Sequence, residues 1–379
     1  MSERRGVVKT ARAEETASAS QSLFVVRRSI QQPVANAPVM NLKQLAKELG
    51  LSQTTVSRAL SGYPEVKPAT RLRVAAAAAE LGYRPNMAAL GLATGRSRSI
   101  GMVMRGGSEF GPHMSEFLGG VGERLAHNEM DISMSNVDNY DDELRTYRRF
   151  AQSKRVDAVI LHSPTPTDER ALLLTDLGLP FVLHGRTDIG QPISWLDIDN
   201  RDAARASTQH LLQLGHRRIG LINGPAGMTF AEHREQGYRD ALLKRGIKVE
   251  PQLIANGRFT DEIGFRVTHE FLDRHPRPTA IVAGSMMSAL GIMRAIRSRG
   301  LLLGKDISLI AHDDVFDYLN ADNMVPSITT TRSSMRAAGF RIAELILQLL
   351  AGTRPESIHE LWPVELVVRQ STGPAPTGR

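Results

Sequence analysis

The 379-residue chain contains no cysteine. A disulfide framework, a thiolate zinc site and a cysteine nucleophile are therefore excluded, and the absence fits a reducing compartment. No apolar run approaches the roughly 20 residues that span a bilayer. The N-terminus carries arginines but lacks the apolar stretch of a secretion signal. A cytoplasmic protein with no membrane attachment is expected. Signatures of catalysis are missing as well: there is no GxxxxGK loop, no HExxH pair and no nucleophile elbow. His269-Glu270 and His359-Glu360 have no third ligand at metal spacing. Asp313 and Asp314 are adjacent, so on a strand they point apart and cannot pair as acid and base. No metal, no cofactor and no enzymatic activity are expected.

What is present is the composition of a soluble globular protein, 41% hydrophobic and 23% charged. The length exceeds one ordinary core, so two or more units are expected. The net charge of +7 is unevenly spread. Residues 40–98 hold nine Lys and Arg against three Glu, and residues 1–39 hold six against three. The remainder is slightly acidic. A basic head on a near-neutral body points to a polyanion held at one end.

Residues 1–39 are rich in Ala, Ser, Gln and Arg and read as a disordered basic tail. Met40 stands directly before the first good helix, so either translation begins there or the tail is a flexible arm. Leu42, Leu45, Ala46 and Leu49 follow helical spacing, and Gly50 is a C-cap. Ser52 is an N-cap for a second helix over 53–60. A third helix runs from Pro68 through the Ala75–Ala79 tract to Leu81.

From Ser99 the pattern alternates strand and helix. Strands are predicted at 100–104, 132–137, 158–162, 181–183 and 195–198. A second series follows at 218–222, 253–255, 280–283, 307–311 and 327–331. Helical stripes such as Met114, Phe117, Leu118, Val121 and Leu125 lie between them. The predicted fold class is α/β: an all-α head and a hinge, then two doubly wound lobes with parallel sheets. Ligands in such lobes bind beyond the carboxyl ends of the strands, in the cleft between them.

The first two helices have helix-turn-helix arithmetic. Ala46 is small where the helices cross, Gly50 permits the tight turn, and Val56 and Leu60 point inward. Gln53, Thr54, Thr55, Ser57 and Arg58 are left outward. Gln bonds adenine and Arg bonds guanine bidentately, and hydroxyls reach bases or phosphates. A hydroxyl-rich helix front forms helix poorly, so it needs another reason to exist.

The string LSQTTVSRAL at 51–60, Thr70-Arg71, and Gly82-Tyr83-Arg84-Pro85-Asn86 resemble the head of the LacI/GalR family of bacterial repressors. The resemblance runs from Met40 to about Leu366. It is carried further by LGHRRIG at 214–220, Arg234-Glu235-Gln236-Gly237-Tyr238, His312-Asp313-Asp314 and Ser327-Ile328-Thr329-Thr330. It implies base contacts from Gln53, Thr54 and Arg58, with Ser52, Thr55 and Ser57 nearer phosphate. It implies a hinge at 86–98 whose Leu92 wedges into the minor groove. Behind the hinge it implies a periplasmic sugar-binding fold over 99–379, the first lobe at 99–199 plus 330–357 and the second at 200–329 plus the C-terminal segment.

The same resemblance implies effector contacts from Arg234, Asp313, Phe259, His113 and Met114, with Asp199, Arg186, Trp195 and Ser285 as further candidates. The sequence departs from the family pattern at Ser285-Met286, at His312, and at His184-Gly185-Arg186. A homodimer is implied, since the tail at 370–379 lacks the leucine repeat of the family's tetramers. The implied partners are double-stranded operator DNA and a small-molecule effector, a sugar or glycoside. A nucleobase effector, or a sugar-binding protein with no DNA role, is the alternative.

Overall fold

The computed structural model describes residues 40–84, 95–106 and 111–377. The tail expected at 1–39 and residues 85–94, which include Leu92 and most of the hinge expected at 86–98, lie outside the described residues. The chain divides after Asn86 into two units.

The first unit is three helices: α1 (Leu42–Leu49), α2 (Gln53–Leu60) and α3 (Pro68–Glu80). Asn41 and Gln44 form a reciprocal capping box at the start of α1. Gly50 ends that helix at φ 62°, a left-handed conformation that costs glycine nothing. Leu45, Ala46, Val56, Ala59, Val74 and Ala78 make the core. Ala59 occupies the inward place that spacing offered to Leu60, which is half-buried. Arg73 donates to the Leu49 carbonyl at 2.9 Å and ties α3 to the end of α1.

The second unit contains two six-stranded sheets. In the first lobe, β1 (Ser99–Arg105), β2 (Asp131–Val137), β3 (Ala158–His162), β4 (Phe181–His184) and β5 (Ser194–Ile198) alternate with α4 (Pro112–Ala126), α5 (Tyr140–Ser153) and α6 (Glu169–Asp176). The second lobe has β6 (Ile219–Asn223), β7 (Ile254–Asn256), β8 (Ala280–Ala283), β9 (Ser308–Asp313) and β10 (Thr329–Arg332). Its helices are α7 (Asn200–Gln213), α8 (Thr229–Lys244), α9 (Asp261–Leu272) and α10 (Met286–Ser298). The chain then returns through α11 (Met335–Leu350) and β11 (His359–Trp362), and ends its sheets with β12 (Glu365–Val367). The sheet orders are β11-β5-β4-β3-β1-β2 and β12-β10-β9-β8-β6-β7, and every pair is parallel except β10 with β12.

The crossings differ from the expected boundary. Thr329–Arg332 pairs with β9, so it belongs to the second sheet, and the return to the first lobe begins after it. That return extends past residue 357, because β11 pairs with β5. The returning helix is fixed by close contact: a Cβ at Gly120 of α4 would lie 1.9 Å from the Arg336 carbonyl, and one at Gly339 would lie 2.0 Å from that of Phe117. Only two bare backbones fit there.

Candidate functional site

A cleft of about 700 Å³ opens in the second unit. This lies within the roughly 300–1,000 Å³ typical of small-molecule sites. Residues at the carboxyl ends of strands from both sheets line it: Arg105, His162, His184 and Asp197 from the first, His312 and Asp314 from the second. That is where parallel α/β sheets place ligands, because successive loops diverge there.

Arg234 projects from α8 and is buried. Its Nε donates to Asn200 Oδ1 and its Nη1 to the Gly284 carbonyl, both at 2.7 Å. The guanidinium sits 5.4 Å from the Phe230 ring centre and 5.8 Å from that of Phe259. Glycines make room for this stack. A Cβ at Gly224 would meet Phe230 at 2.4 Å, and one at Gly284 would meet Phe259 at 2.8 Å. Burial lowers the Arg234 pKa, while Asp314 and Asp197 work to keep it charged.

The two lobes touch across the cleft. His113 Nε2, at the start of α4, lies 2.8 Å from Asp314 Oδ2 beyond β9. Its ring meets Phe316 edge-on at 5.0 Å and lies 5.5 Å from Phe259. Thr229 donates through its N–H and its hydroxyl to the Pro164 carbonyl, at 2.9 and 3.0 Å. Burial raises the Asp314 carboxyl, but His113, His312 and Arg234 together outweigh that effect and hold it below the usual range.

Behind the first-lobe wall lies a buried ion cluster. Arg170 Nη1 donates to Glu143 Oε1 at 3.0 Å, and its Nη2 donates to Asp168 Oδ2 at 2.7 Å. Nη2 also reaches the carbonyls of His162 and Ser163, at 3.2 and 3.1 Å. Glu143 Oε2 pairs with Arg105 Nε at 3.1 Å, so the cluster holds an arginine that lines the cleft.

Three imidazoles in the cleft wall are kept neutral. Burial, reinforced by Arg170, pushes His162 down to about 3. Burial, reinforced by Arg234, does the same to His312. Burial also lowers His184, whose ring stacks on Phe117 at 4.8 Å. In the unfolded chain each takes a proton near pH 6.5. Between the two values the unfolded state binds more protons, so stability is complete above about pH 6.5 and falls as pH drops towards 3. Urea midpoints are expected to decline from pH 7.5 to pH 5, a range above ordinary carboxylate titration. A flat profile there contradicts the burial of these rings.

Arg234, Phe259, His113 and Met114, implied by the family pattern, all line the cleft. Asp313 does not. Strand alternation turns its carboxylate away, where Oδ1 accepts the Val315 N–H at 2.8 Å and Oδ2 lies 3.6 Å from Arg332 Nε. Asp314 takes the cleft position, and Asp313 instead holds Val315 at a left-handed φ of 59°. Ser285 is a buried N-cap that accepts from Ser288 N, and Asp199 caps α7 by accepting from Asp202 N. Arg186 is turned to Asp197 at 2.7 Å, beside the Trp195 ring, outside the lining. Asp197, Asn200, Phe230 and His162 are lining residues that the sequence pattern did not mark.

In the first unit, Gln53, Thr54 and Arg58 are exposed on α2, and Thr55 and Ser57 are half-buried. The Ser52 hydroxyl accepts the Thr55 N–H at 3.0 Å and lies 2.8 Å from Thr55 Oγ1, so it serves as the helix cap. Among the described residues no helix is long and apolar enough to cross a membrane, and no cluster of three metal-ligating side chains occurs.

Residues 41–86 match the profile of bacterial regulatory proteins of the lacI family, and residues 97–366 match that of periplasmic binding proteins and the sugar binding domain of the LacI family. The chain is 48% identical over 343 residues to the HTH-type transcriptional regulator AglR of Rhizobium meliloti, covering 89% of this chain and 95% of that one. It is 34% identical to the HTH-type transcriptional regulator RafR of Escherichia coli, covering 85% and 96%. Among solved structures it resembles a complex of the transcriptional regulator CelR with cellobiose, with 30% identity, a TM-score of 0.65, and coverage of 88% and 99%. It also resembles the Lac repressor dimer bound to operator and the anti-inducer ONPF, with 27% identity, a TM-score of 0.75, and the same coverage.

Proposed function

The chain belongs to the LacI family of bacterial transcriptional regulators, and from that premise we propose that its cleft takes an uncharged sugar or glycoside whose binding alters the grip of α2 on operator DNA. The observation that carries this reading is Arg234, a buried fork of donors between two phenyl rings at the floor of the cleft. Aromatic faces suit the apolar faces of a pyranose, and fixed donors suit its hydroxyls. The buried charges of the wall are balanced: Arg105 by Glu143, Arg234 by nearby Asp314 and Asp197, with His162 and His312 neutral. Arg258, which also lines the cleft, is exposed to solvent. A buried wall without surplus positive charge disfavours a phosphate or carboxylate held deep in the cleft. The cellobiose held by CelR supports the same class. Arg234, Phe259, His113, Met114 and Asp314 are the proposed contacts.

The protein works as a homodimer in the cytoplasm and presents two copies of α2 to a near-palindromic site about one helical turn apart. Gln53, Thr54 and Arg58 read bases. Effector and operator affinities are then linked reciprocally. Titration calorimetry against a panel of monosaccharides, disaccharides, glycosides and nucleosides tests the cleft, and heat from nucleosides alone overturns the sugar reading.

For the head, Arg58→Ala is expected to relax base discrimination by about 1–3 kcal/mol at one position of each half-site. Fluorescence anisotropy on the DNA upstream of the gene, across a salt series, measures it. Discrimination equal to the parent's would remove Arg58 from base reading.

A further inference from the structure

The first lobe carries a patch of like charge at the edge remote from the cleft. The last turns of α5 bear Arg148 and Arg149, Lys154 follows at φ 49°, and Arg155 comes next. All four are exposed, and among the described residues none of them has a carboxylate at ion-pair distance. A helix C-terminus favours a cation or two through its dipole. Four in eight residues go beyond that, and their mutual repulsion is tolerated only where solvent or a polyanion screens it.

The patch lies at the amino-terminal ends of the strands, where the chain enters the lobe. Asp157 fixes that entry: its carboxylate accepts from Ser97 N, Ser97 Oγ and Arg98 N, at 2.6, 2.9 and 2.9 Å. Gly95 and Arg96 share a recess with Ala151, Lys154 and Asp157. Arg98 pairs with Glu129 at 3.3 Å. Asp157 and Glu129 are thus occupied by the linker, and the four cations have no carboxylate at ion-pair distance among the described residues.

We infer that this face binds the phosphate backbone of duplex DNA flanking the operator, a contact additional to the base-reading helix. Ten residues separate Arg84 from Gly95, and a fully extended chain spans at most about 3.6 Å per residue. DNA gripped by the head therefore stays within a few tens of ångströms of the residues that frame the patch. Duplex DNA presents one negative charge per roughly 1.7 Å of axis, so any length of it near the patch is a dense match for the charge. The inference rests on the operator-binding reading of the head.

The test uses the full chain and a duplex selected by it from a random-sequence pool. The duplex is trimmed to the shortest length whose binding still depends on Arg58. A second duplex adds about ten base pairs, one helical turn, at each end. The wild type is expected to bind the longer duplex more tightly and with a steeper salt dependence. Replacing Arg148, Arg149, Lys154 and Arg155 together by Ser is expected to remove that advantage. The salt slope should fall by about 0.9 for each phosphate no longer neutralised, with affinity for the short duplex unchanged. Arg148→Lys with Arg149→Lys should behave as wild type, because charge rather than shape is read.

Equal affinity of the wild type for both duplexes overturns the inference, and so does an advantage that survives the Ser variant. Equal loss on both duplexes overturns it as well, since the patch would then act through the head or the fold. Failure of Arg58→Ala to matter at any length counts against the head reading instead, so the two failures are distinguishable.

Discussion

Arg170→Met is expected to destabilise the second unit by about 3–5 kcal/mol, the usual cost of removing one partner from a buried charge network. The side chains of Arg170, Glu143 and Asp168 are 2%, 1% and 1% exposed, so water cannot replace what is lost. Burial by itself raises the Asp168 carboxyl, and the hydrogen bonds and charge of Arg170, together with the Thr165 N–H, reverse that and hold it below the usual range. Without Arg170, Asp168 is a buried carboxylate with no cation, while Glu143 keeps Arg105. The carbonyls of His162 and Ser163 lose a donor in the same change. A fall in the urea midpoint at constant m-value is the expected reading. Replacing Glu143 and Asp168 along with Arg170, by apolar residues of similar volume, is expected to recover much of the loss. A single variant that unfolds within about 1 kcal/mol of the parent would mean the cluster is solvated rather than buried.

None of this cluster is legible in the sequence, and the reason is distance along the chain. Asp168-Glu169-Arg170 reads locally as a capped helix start, and Asp168 does accept the Arg170 N–H at 3.0 Å. What makes Arg170 a core residue is Glu143, on a different helix, and no period or spacing rule connects the two. The head is legible for the opposite reason. Its capping residues, its left-handed Gly50 and its apolar spacing are all local, and each agrees with the same three helices. The strand series is legible too, because parallel strands buried on both faces read as short apolar runs. The strand β11 gives no such signal because, at the sheet edge, its residues alternate between exposed and half-buried.

The cleft is legible in part. Arg234 and Phe259 follow from family resemblance, not from any property of their local sequence, and both line the cleft. The acidic contact expected at Asp313 falls one residue early. A strand's period of two puts His312 and Asp314 on one face and Asp313 on the other. Once the buried imidazole at His312 is taken as facing the cleft, Asp314 must accompany it. Asp313 is then free to hold the backbone of Val315, which carries Phe316 against His113.

Arg234→Met is expected to uncouple effector from operator. The change keeps most of the side-chain volume and removes every donor. A hydrogen bond to a charged group contributes about 1.5–3 kcal/mol, so losing two to a sugar lowers effector affinity by at least roughly a hundredfold. The protein is destabilised as well: Asn200 Oδ1 and the Gly284 carbonyl go without a partner, at about 1–3 kcal/mol each. A urea midpoint taken beside the binding assay establishes that the variant is folded. Operator binding without effector should match the parent, because the α2 residues proposed to read DNA sit on a separate unit. The sugar that shifts operator affinity in the parent should then shift nothing at the same concentration. By linkage, operator DNA should no longer change the affinity for that sugar. Arg234→Lys should fail as well, since a single ammonium cannot reproduce the planar fork. Anisotropy with the operator, titrated with sugar, reads all three proteins in one assay. If Arg234→Met still responds at the parent's sugar concentration, the effector binds elsewhere and the cleft is not its site.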